Sequence, residues 1–189
     1  MTGILMENQN RSRIKHRRIA LVGYRATGKT VVGKELAREL NWDFIDMDEV
    51  ISSKAKLSIE EMVKKHGWNY FRKLESSLLV NIAKKENIVV ATGGGIVINT
   101  ENRATLKNHF ITIWLKASPA EIEKRLQKDT EKHTQRPSLT GKDILSEVEE
   151  VLRQRLRYYE EVSDFNISTE NISVNETIFQ IRKLIMERN

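Results

Sequence analysis

Residues 23–30 have the types and spacing of a phosphate-binding loop. The pattern G-x-x-x-x-G-K-[ST] is matched by Gly23-Tyr24-Arg25-Ala26-Thr27-Gly28-Lys29-Thr30. Glycines let the backbone curl so that successive N–H groups face an anion, and a following helix adds its positive dipole end. Lys29 would reach the β- and γ-phosphates, and the Thr30 hydroxyl would bind Mg²⁺. The motif predicts a nucleoside triphosphate site and leaves the phosphoryl acceptor open.

Two carboxylates and three glycines follow the next strand-like segments. Asp46 and Asp48 end an apolar run, and strand alternation, if it persists that far, points them the same way. One carboxylate would then hold the Mg²⁺ shell while the other meets an acceptor hydroxyl. Gly93-Gly94-Gly95 would let a ligand lie against backbone N–H groups. Taken alone, the two aspartates could equally be helix-capping or surface residues, and a flexible turn is the alternative interpretation of the three glycines.

The elements that must position these groups alternate between strand and helix patterns. We predict strands over 19–22, 44–48, 88–92, 110–115 and 165–169. We predict helices over 29–40, 58–67, about 69–85, from 118 onward, about 143–162 and from 173 onward. This alternation predicts an α/β fold of three layers, with a five-stranded parallel sheet flanked by helices. Ligands in such folds bind at the carboxyl ends of the strands.

Composition narrows the class of protein. The chain has 189 residues, 39% hydrophobic and 31% charged, with no cysteine, which excludes disulfides and thiolate sites. No apolar run approaches the roughly 18 residues of a membrane span. Five basic residues and one acidic residue among residues 1–18 account for +4 of the net charge of +6. We therefore expect a flexible basic tail over 1–17 and one domain over 18–189 in a cytoplasmic protein.

The order and separation of the motifs resemble those of the shikimate kinases, small P-loop kinases of aromatic amino-acid biosynthesis. The resemblance covers residues 18–189. Each motif is weak alone, and the series at these separations is specific. Besides the P-loop, its members are Asp46-x-Asp48, Phe71-Arg72-x-x-Glu75, Gly93-Gly94-Gly95, Arg136-Pro137 and Arg155-x-x-x-Tyr159.

The resemblance implies an acceptor site for a hydroxylated acid. Asp48 resembles the carboxylate that binds the shikimate ring hydroxyls and orients the attacking one or accepts its proton. Arg72 and Arg155 resemble the pair that binds the substrate carboxylate, for which the planar guanidinium is suited. Glu75 resembles the residue that steadies Arg72. Backbone contacts to the substrate are implied for Gly93, Gly94 and Gly95.

The resemblance also implies roles around the nucleotide. Asp46 resembles the carboxylate near Mg²⁺, and Arg125 resembles the arginine that stacks on adenine. Arg136 resembles the arginine of a mobile lid, here residues 128–142, that closes over the transferring phosphate. Catalytic roles fall to Lys29, Asp48 and Arg136. The implied ATP contacts are Gly23, Ala26, Thr27, Gly28, Lys29, Thr30, Val31, Arg125 and Arg136.

Some residues depart from the usual family pattern. Ala26 stands where glycine is common, and Arg25 is expected to add a charge beside the phosphates. Ser138-Leu139 follows the lid arginine where two leucines are common. These departures bear on nucleotide affinity and lid kinetics more than on the reaction.

The implied protein is a P-loop kinase that transfers the γ-phosphoryl group of ATP to the 3-hydroxyl of shikimate with Mg²⁺, giving shikimate 3-phosphate and ADP. We expect a monomer with no nucleic-acid or membrane partner. Alternatives are a kinase for another small hydroxy acid such as gluconate, a nucleotide kinase, or a nucleic-acid-binding P-loop protein that works through its basic tail. The histidines show no metal-ligand spacing.

Overall fold

The computed structural model describes residues 17–130 and 143–187, in which strands and helices alternate. The strands are β1 (Arg18–Val22), β2 (Asp43–Asp46), β3 (Ile88–Ala91), β4 (Ile111–Lys116) and β5 (Phe165–Ser168). The first four helices are α1 (Lys29–Leu40), α2 (Met47–Ala55), α3 (Ile59–His66) and α4 (Trp68–Ile82). They are followed by a short 3₁₀ helix (Ile96–Ile98), α5 (Thr100–His109), α6 (Pro119–Thr130), α7 (Ile144–Val162) and α8 (Val174–Met186).

The strands form one parallel sheet in the order β2-β3-β1-β4-β5. β1 lies at the centre, where Ala20 is opposite Val90 of β3 and Thr112 of β4. Because the strands run the same way, their carboxyl ends meet at one edge, which is where such sheets bind ligands. The predicted five-stranded parallel sheet is confirmed.

The side chains of β1 alternate between two apolar cores. Ala20 and Val22 belong to a core that includes residues of α4, α5 and α7. Ile19 and Leu21 belong to a second core with residues of α1 and α8. Strands that are buried on both faces need a helical layer on each side, and this gives the three predicted layers.

The strand predicted over 44–48 is wrong at its end. β2 stops at Asp46, whose carboxylate accepts hydrogen bonds from the backbone N–H groups of Asp48 at 3.0 Å and Glu49 at 3.3 Å. A side chain that accepts from the first free N–H groups starts a helix as its N-cap. Asp48 therefore lies in the first turn of α2, and the expected strand alternation between the two aspartates does not exist.

Other helix boundaries agree closely with the predicted ranges. Ser58 and Glu61 form a capping box at the start of α3, which ends before Gly67. α4 begins one residue earlier and ends three residues earlier than the predicted 69–85. No described helix is both long and apolar enough to cross a membrane.

Two segments differ from their predictions. α5 was not predicted, because it buries only Asn102 and Leu106 and so lacks an apolar stripe. α6 reaches Thr130, so the loop predicted over 128–142 is helical in its first three residues. The rest of the proposed lid, 131–142, lies outside the described residues.

The predicted tail also ends one residue earlier than expected. Arg17 donates from Nε to Oδ1 of Asn87 at 3.0 Å and pairs with Glu86 at 2.9 Å. Its carbonyl accepts a hydrogen bond from the backbone N–H of Ile88 at 3.2 Å. Arg17 is therefore part of the fold, whereas residues 1–16 lie outside the described residues.

Candidate active site

The loop after β1 has the backbone that its glycines predict. Gly23 has a φ of 142°, and a β-carbon there would overlap the carbonyl oxygen of Leu115 in β4. Gly28 has a φ of 88° and directly precedes α1. Both positions therefore require glycine. Between them Ala26 also has a positive φ of 61°, a conformation in which a β-carbon is unfavourable.

The side chains of the loop hold its own backbone. Nζ of Lys29 donates to the carbonyl oxygens of Gly23 at 2.9 Å and Tyr24 at 2.6 Å. The Thr27 hydroxyl donates to the same Tyr24 oxygen at 2.8 Å. Lys29 is buried, and its ammonium group lies within the curve of the P-loop backbone. A cation in this position can exchange carbonyl oxygens for phosphate oxygens.

Two oxygen ligands meet where the loop passes into α1. The Thr30 hydroxyl donates to Oδ2 of Asp46 at 2.6 Å, while Oδ1 of Asp46 caps α2. Hydroxyl and carboxylate oxygens are the ligands that Mg²⁺ prefers. The structure thus brings together the two residues that the sequence assigned to the metal. Among the described residues there is no cluster of three or more acidic, histidine or cysteine side chains around a possible metal.

A cleft beside the P-loop contains the acceptor residues that the sequence singled out. Asp48 reaches it from α2, Arg72 from α4 and Arg155 from α7, and Gly93–Gly95 form its floor after β3. The complete lining is Tyr24, Arg25, Asp48, Ile59, Trp68, Phe71, Arg72, Glu75, Gly93, Gly94, Gly95 and Arg155. Since Tyr24 and Arg25 belong to the P-loop, the phosphate loop forms one wall of this cleft.

Arg72 is held by contacts on several sides. It pairs with Glu75, which is fully buried one helical turn further along α4. Its guanidinium lies 5.2 Å from the Trp68 ring centroid and 5.3 Å from that of Phe71. A β-carbon on Gly95 would overlap this guanidinium. The cation is therefore pre-positioned over the glycine turn, as a binding group for an anion should be.

Arg155 is fixed against the same turn from the opposite side. Its Nη1 donates to the carbonyl oxygen of Gly94 at 3.0 Å, and the Tyr159 hydroxyl donates to the same oxygen at 2.6 Å. Tyr159 is completely buried and stacks on Trp114 with ring centroids 5.5 Å apart. Burial raises the pKa of Tyr159 to about 12, against a partial lowering by nearby Arg155. α7 is thereby joined to the turn after β3.

Arg25 extends from the P-loop to the acceptor cleft. It lines this cleft and pairs with Glu147 of α7, whereas its expected position beside the phosphates stays a prediction. Glu147 is buried, because its position in α7 faces the protein. No sequence pattern predicts a contact between these two residues, which are 122 positions apart.

Arg125 lies on the other side of the P-loop. It donates from Nη1 to the Ala26 carbonyl oxygen at 3.2 Å and from Nη2 to the Thr169 carbonyl oxygen at 2.7 Å. Its Nε is paired with Glu121 at 2.8 Å. Arg125 thus lies between the P-loop and the end of β5, while Val31 is exposed in the first turn of α1. Arg136 lies outside the described residues.

Several cleft residues were missed or misread at the sequence level. Ile59 and Trp68 line the cleft but belong to none of the motifs named above. Glu147 could have been found, because Glu147, Val151, Arg155 and Tyr159 recur every four residues and are all buried. A charged residue on the buried face of an amphipathic helix is a signal in itself.

Comparisons with known proteins agree with this site. The shikimate kinase family model matches residues 25–186. A shikimate kinase of Nitratidesulfovibrio vulgaris is 43% identical over 146 residues, which are 77% of this chain and 83% of that protein. Shikimate kinase 2 of Photorhabdus laumondii is 43% identical over 148 residues, covering 78% of this chain and 84% of the relative.

A solved structure extends the similarity to the fold. Shikimate kinase from Acinetobacter baumannii in complex with shikimate superposes with a TM-score of 0.85 at 29% identity, covering 92% of this chain and 94% of that one. The family match spans most of the chain and every lining residue of the acceptor cleft except Tyr24. This protein belongs to the shikimate kinase family.

Proposed function

We propose that the protein transfers the γ-phosphoryl group of ATP to the 3-hydroxyl of shikimate, giving shikimate 3-phosphate and ADP. The observation that carries this proposal is the shared wall of the two sites: Tyr24 and Arg25 of the P-loop line the cleft that contains Asp48, Arg72 and Arg155. A phosphate bound in the loop is thereby adjacent to a pocket with two arginines and an aspartate. Phosphoryl transfer requires such placement and charge stabilisation more than covalent chemistry.

The acceptor residues fit a hydroxylated carboxylic acid. We assign the carboxylate of the substrate to Arg72 and Arg155, since both guanidinium groups line the cleft and are positioned before substrate binds. We assign the attacking hydroxyl to Asp48, a hydrogen-bond acceptor on the same cleft. The hydroxyl oxygen forms a bond to the γ-phosphorus of ATP. At the same time the bond breaks between this phosphorus and the oxygen that links it to the β-phosphate.

The nucleotide residues fit ATP in the loop. We assign the β- and γ-phosphates to Lys29 and to the backbone N–H groups of residues 23–30. When bound, Mg²⁺ would supply positive charge against the phosphates. Thr30 and Asp46 fit this ion, because their oxygens already lie 2.6 Å apart at the loop end. Arg125 and Val31 are assigned to the nucleotide, and Arg136 to the transferring phosphate.

The broader setting is part of the proposal. We assign residues 17–189 to a single catalytic domain that works as a monomer, and residues 1–16 to an extension outside the reaction. Because the reaction consumes ATP, we place the enzyme in the cytoplasm.

The test is ADP release from Mg-ATP with a panel of acceptors: shikimate, gluconate, a nucleoside monophosphate and water alone. We expect turnover that depends on shikimate and saturates with it. Equal ADP release without an acceptor, or preferred turnover of gluconate or the nucleotide, would contradict the proposal. Identification of shikimate 3-phosphate by phosphorus NMR verifies the position of transfer.

A further inference from the structure

The ion pair between Arg25 and Glu147 joins the P-loop to the first turn of α7. The side chain of Glu147 is 1% exposed and that of Arg25 is 18% exposed. A buried carboxylate is costly unless it is paired, so this contact fixes the direction in which Arg25 extends. That direction leads into the acceptor cleft.

Arg25 still has hydrogen-bonding capacity inside the cleft. Its Nε is buried, and no described residue accepts a hydrogen bond from it. Guanidinium carries five N–H donors, and Arg25 donates to Glu147 from Nη2. A buried donor without an acceptor is unfavourable, and it is satisfied when a ligand oxygen occupies the cleft.

The charge of Arg25 is cancelled where it lies. The carboxylate of Glu147 compensates this charge, as that of Glu75 does for Arg72. A compensated guanidinium keeps its remaining N–H donors, so Arg25 can still donate a hydrogen bond to a neutral hydroxyl group of the substrate.

We propose that Arg25 is a further acceptor-binding residue that donates to a substrate hydroxyl, and that Glu147 is the positioning residue that holds Arg25 and cancels its charge. The inference rests on the proposed function for the identity of the acceptor. Arg25, a residue of the P-loop, would thus contribute to the preference of the cleft for a hydroxylated acceptor.

α7 positions the two cleft arginines together. Glu147 and Arg155 are eight residues apart on its buried face, about 12 Å along the helix. Glu147 contacts Arg25 directly, and Arg155 enters the cleft and contacts Gly94. A rigid helix thus sets the distance between the proposed hydroxyl-binding and carboxylate-binding groups.

The first test separates binding from structure. Arg25→Met removes the donors, and we expect the KM for shikimate to rise about tenfold, the worth of one good hydrogen bond. The KM for ATP should change less than about twofold. A drop in Tm with both KM values unchanged would show that the pair is merely structural and would overturn the proposal.

The second test concerns charge and does not depend on shikimate. Glu147→Gln leaves Arg25 uncompensated, so inorganic phosphate should bind the cleft at least about fivefold more tightly, measured by calorimetry with Mg-ADP saturating the P-loop. The double variant Arg25→Met/Glu147→Gln is the matched control and should return to the wild-type affinity. Unchanged phosphate affinity in Glu147→Gln would overturn the charge cancellation.

The two proposals fail in distinguishable ways. Absence of shikimate-dependent turnover in the wild-type protein contradicts the proposed function. Normal wild-type turnover with an unaffected Arg25→Met variant contradicts the further inference alone.

Discussion

The guanidinium of Arg72 lies against Gly95 so closely that the smallest side chain on this glycine would occupy its place. The backbone of Gly95 is ordinary, with a φ of −103°. The glycine is therefore required by the arginine and not by the turn.

Gly95→Ala should impair acceptor binding, and the KM for shikimate is the readout that separates this effect from a loss of stability. The methyl group displaces the end of Arg72, whose Nη1 pairs with the buried Glu75, so Tm should fall as well. Loss of charge-assisted hydrogen bonds should raise the KM for shikimate at least about tenfold. Gly67→Ala is the control: it has a φ of 80° and open space, so it should lower Tm and leave KM unchanged. A wild-type KM in Gly95→Ala would contradict the assignment of Arg72.

Asp48→Asn should stop the reaction and leave the nucleotide site intact. The substitution keeps the shape of the side chain but weakens it as an acceptor for the attacking hydroxyl. We expect kcat to fall at least about a hundredfold, as for the loss of a group that handles a reacting proton. ATP affinity, measured by calorimetry, should be unchanged. Asp43→Asn, at the exposed start of β2, is the control and should retain full activity. A near-normal rate in Asp48→Asn would refute the role.

Two substitutions of Asp46 should separate its capping function from its metal function. Asparagine is as good an N-cap as aspartate, so Asp46→Asn should preserve stability. The half-saturating Mg²⁺ concentration for turnover should rise about tenfold, because the ligand loses its charge. Asp46→Ala should also lose about 1 kcal/mol of unfolding free energy. Equal Mg²⁺ dependence in wild type and Asp46→Asn would exclude Asp46 from the metal site.

Ala26→Gly should stabilise the protein. Ala26 has a φ of 61°, which costs an alanine roughly 1 kcal/mol or more, and glycine avoids this cost. Part of the gain is lost to the greater entropy of unfolded glycine, so we expect a net increase of up to about 1 kcal/mol in urea unfolding. Ala120→Gly, exposed in the first turn of α6, is the control and should be destabilising. A loss of stability in Ala26→Gly would show that the loop does not hold this conformation.

Tyr159 should make stability fall at high pH. Its ordinary pKa of 10.0 rises to about 12 in the fold because burial disfavours the phenolate. Between these values the unfolded chain loses the proton and the folded chain keeps it, so the unfolding free energy decreases by about 1.4 kcal/mol per pH unit. Below pH 10 the contribution is constant. Urea unfolding from pH 9 to 11.5 should show a shallower decrease in Tyr159→Phe, and parallel curves would contradict the prediction.

The sequence predicted the parts of the site that depend on local patterns. The P-loop is formed by consecutive residues, and α1 was predicted with its observed bounds of Lys29–Leu40. The parallel sheet followed from the alternation of elements, and the order of motifs identified the family. The cleft residues after β2 and β3 came together because the carboxyl ends of parallel strands share one edge.

The remaining features depend on side-chain contacts that a pattern does not contain. Whether Asp46 ends a strand or starts a helix is decided by its hydrogen bonds to Asp48 and Glu49. The side chain of Arg25 is oriented by its ion pair with Glu147, which lies far along the chain. Neither the hydrogen bonds of Asp46 nor the ion pair of Arg25 follows from a periodic sequence pattern.

The central position of β1 divides the chemistry between two sides of the sheet. The acceptor cleft draws on segments after β2 and β3 and on Arg155 of α7, whereas Arg125 and Thr169 belong to segments after β4 and β5. The proposed contacts to the acceptor and to the nucleotide are therefore made largely by different stretches of chain, which meet at the P-loop. Substitutions after β2 and β3 can consequently change which alcohol is phosphorylated with little effect on the use of ATP.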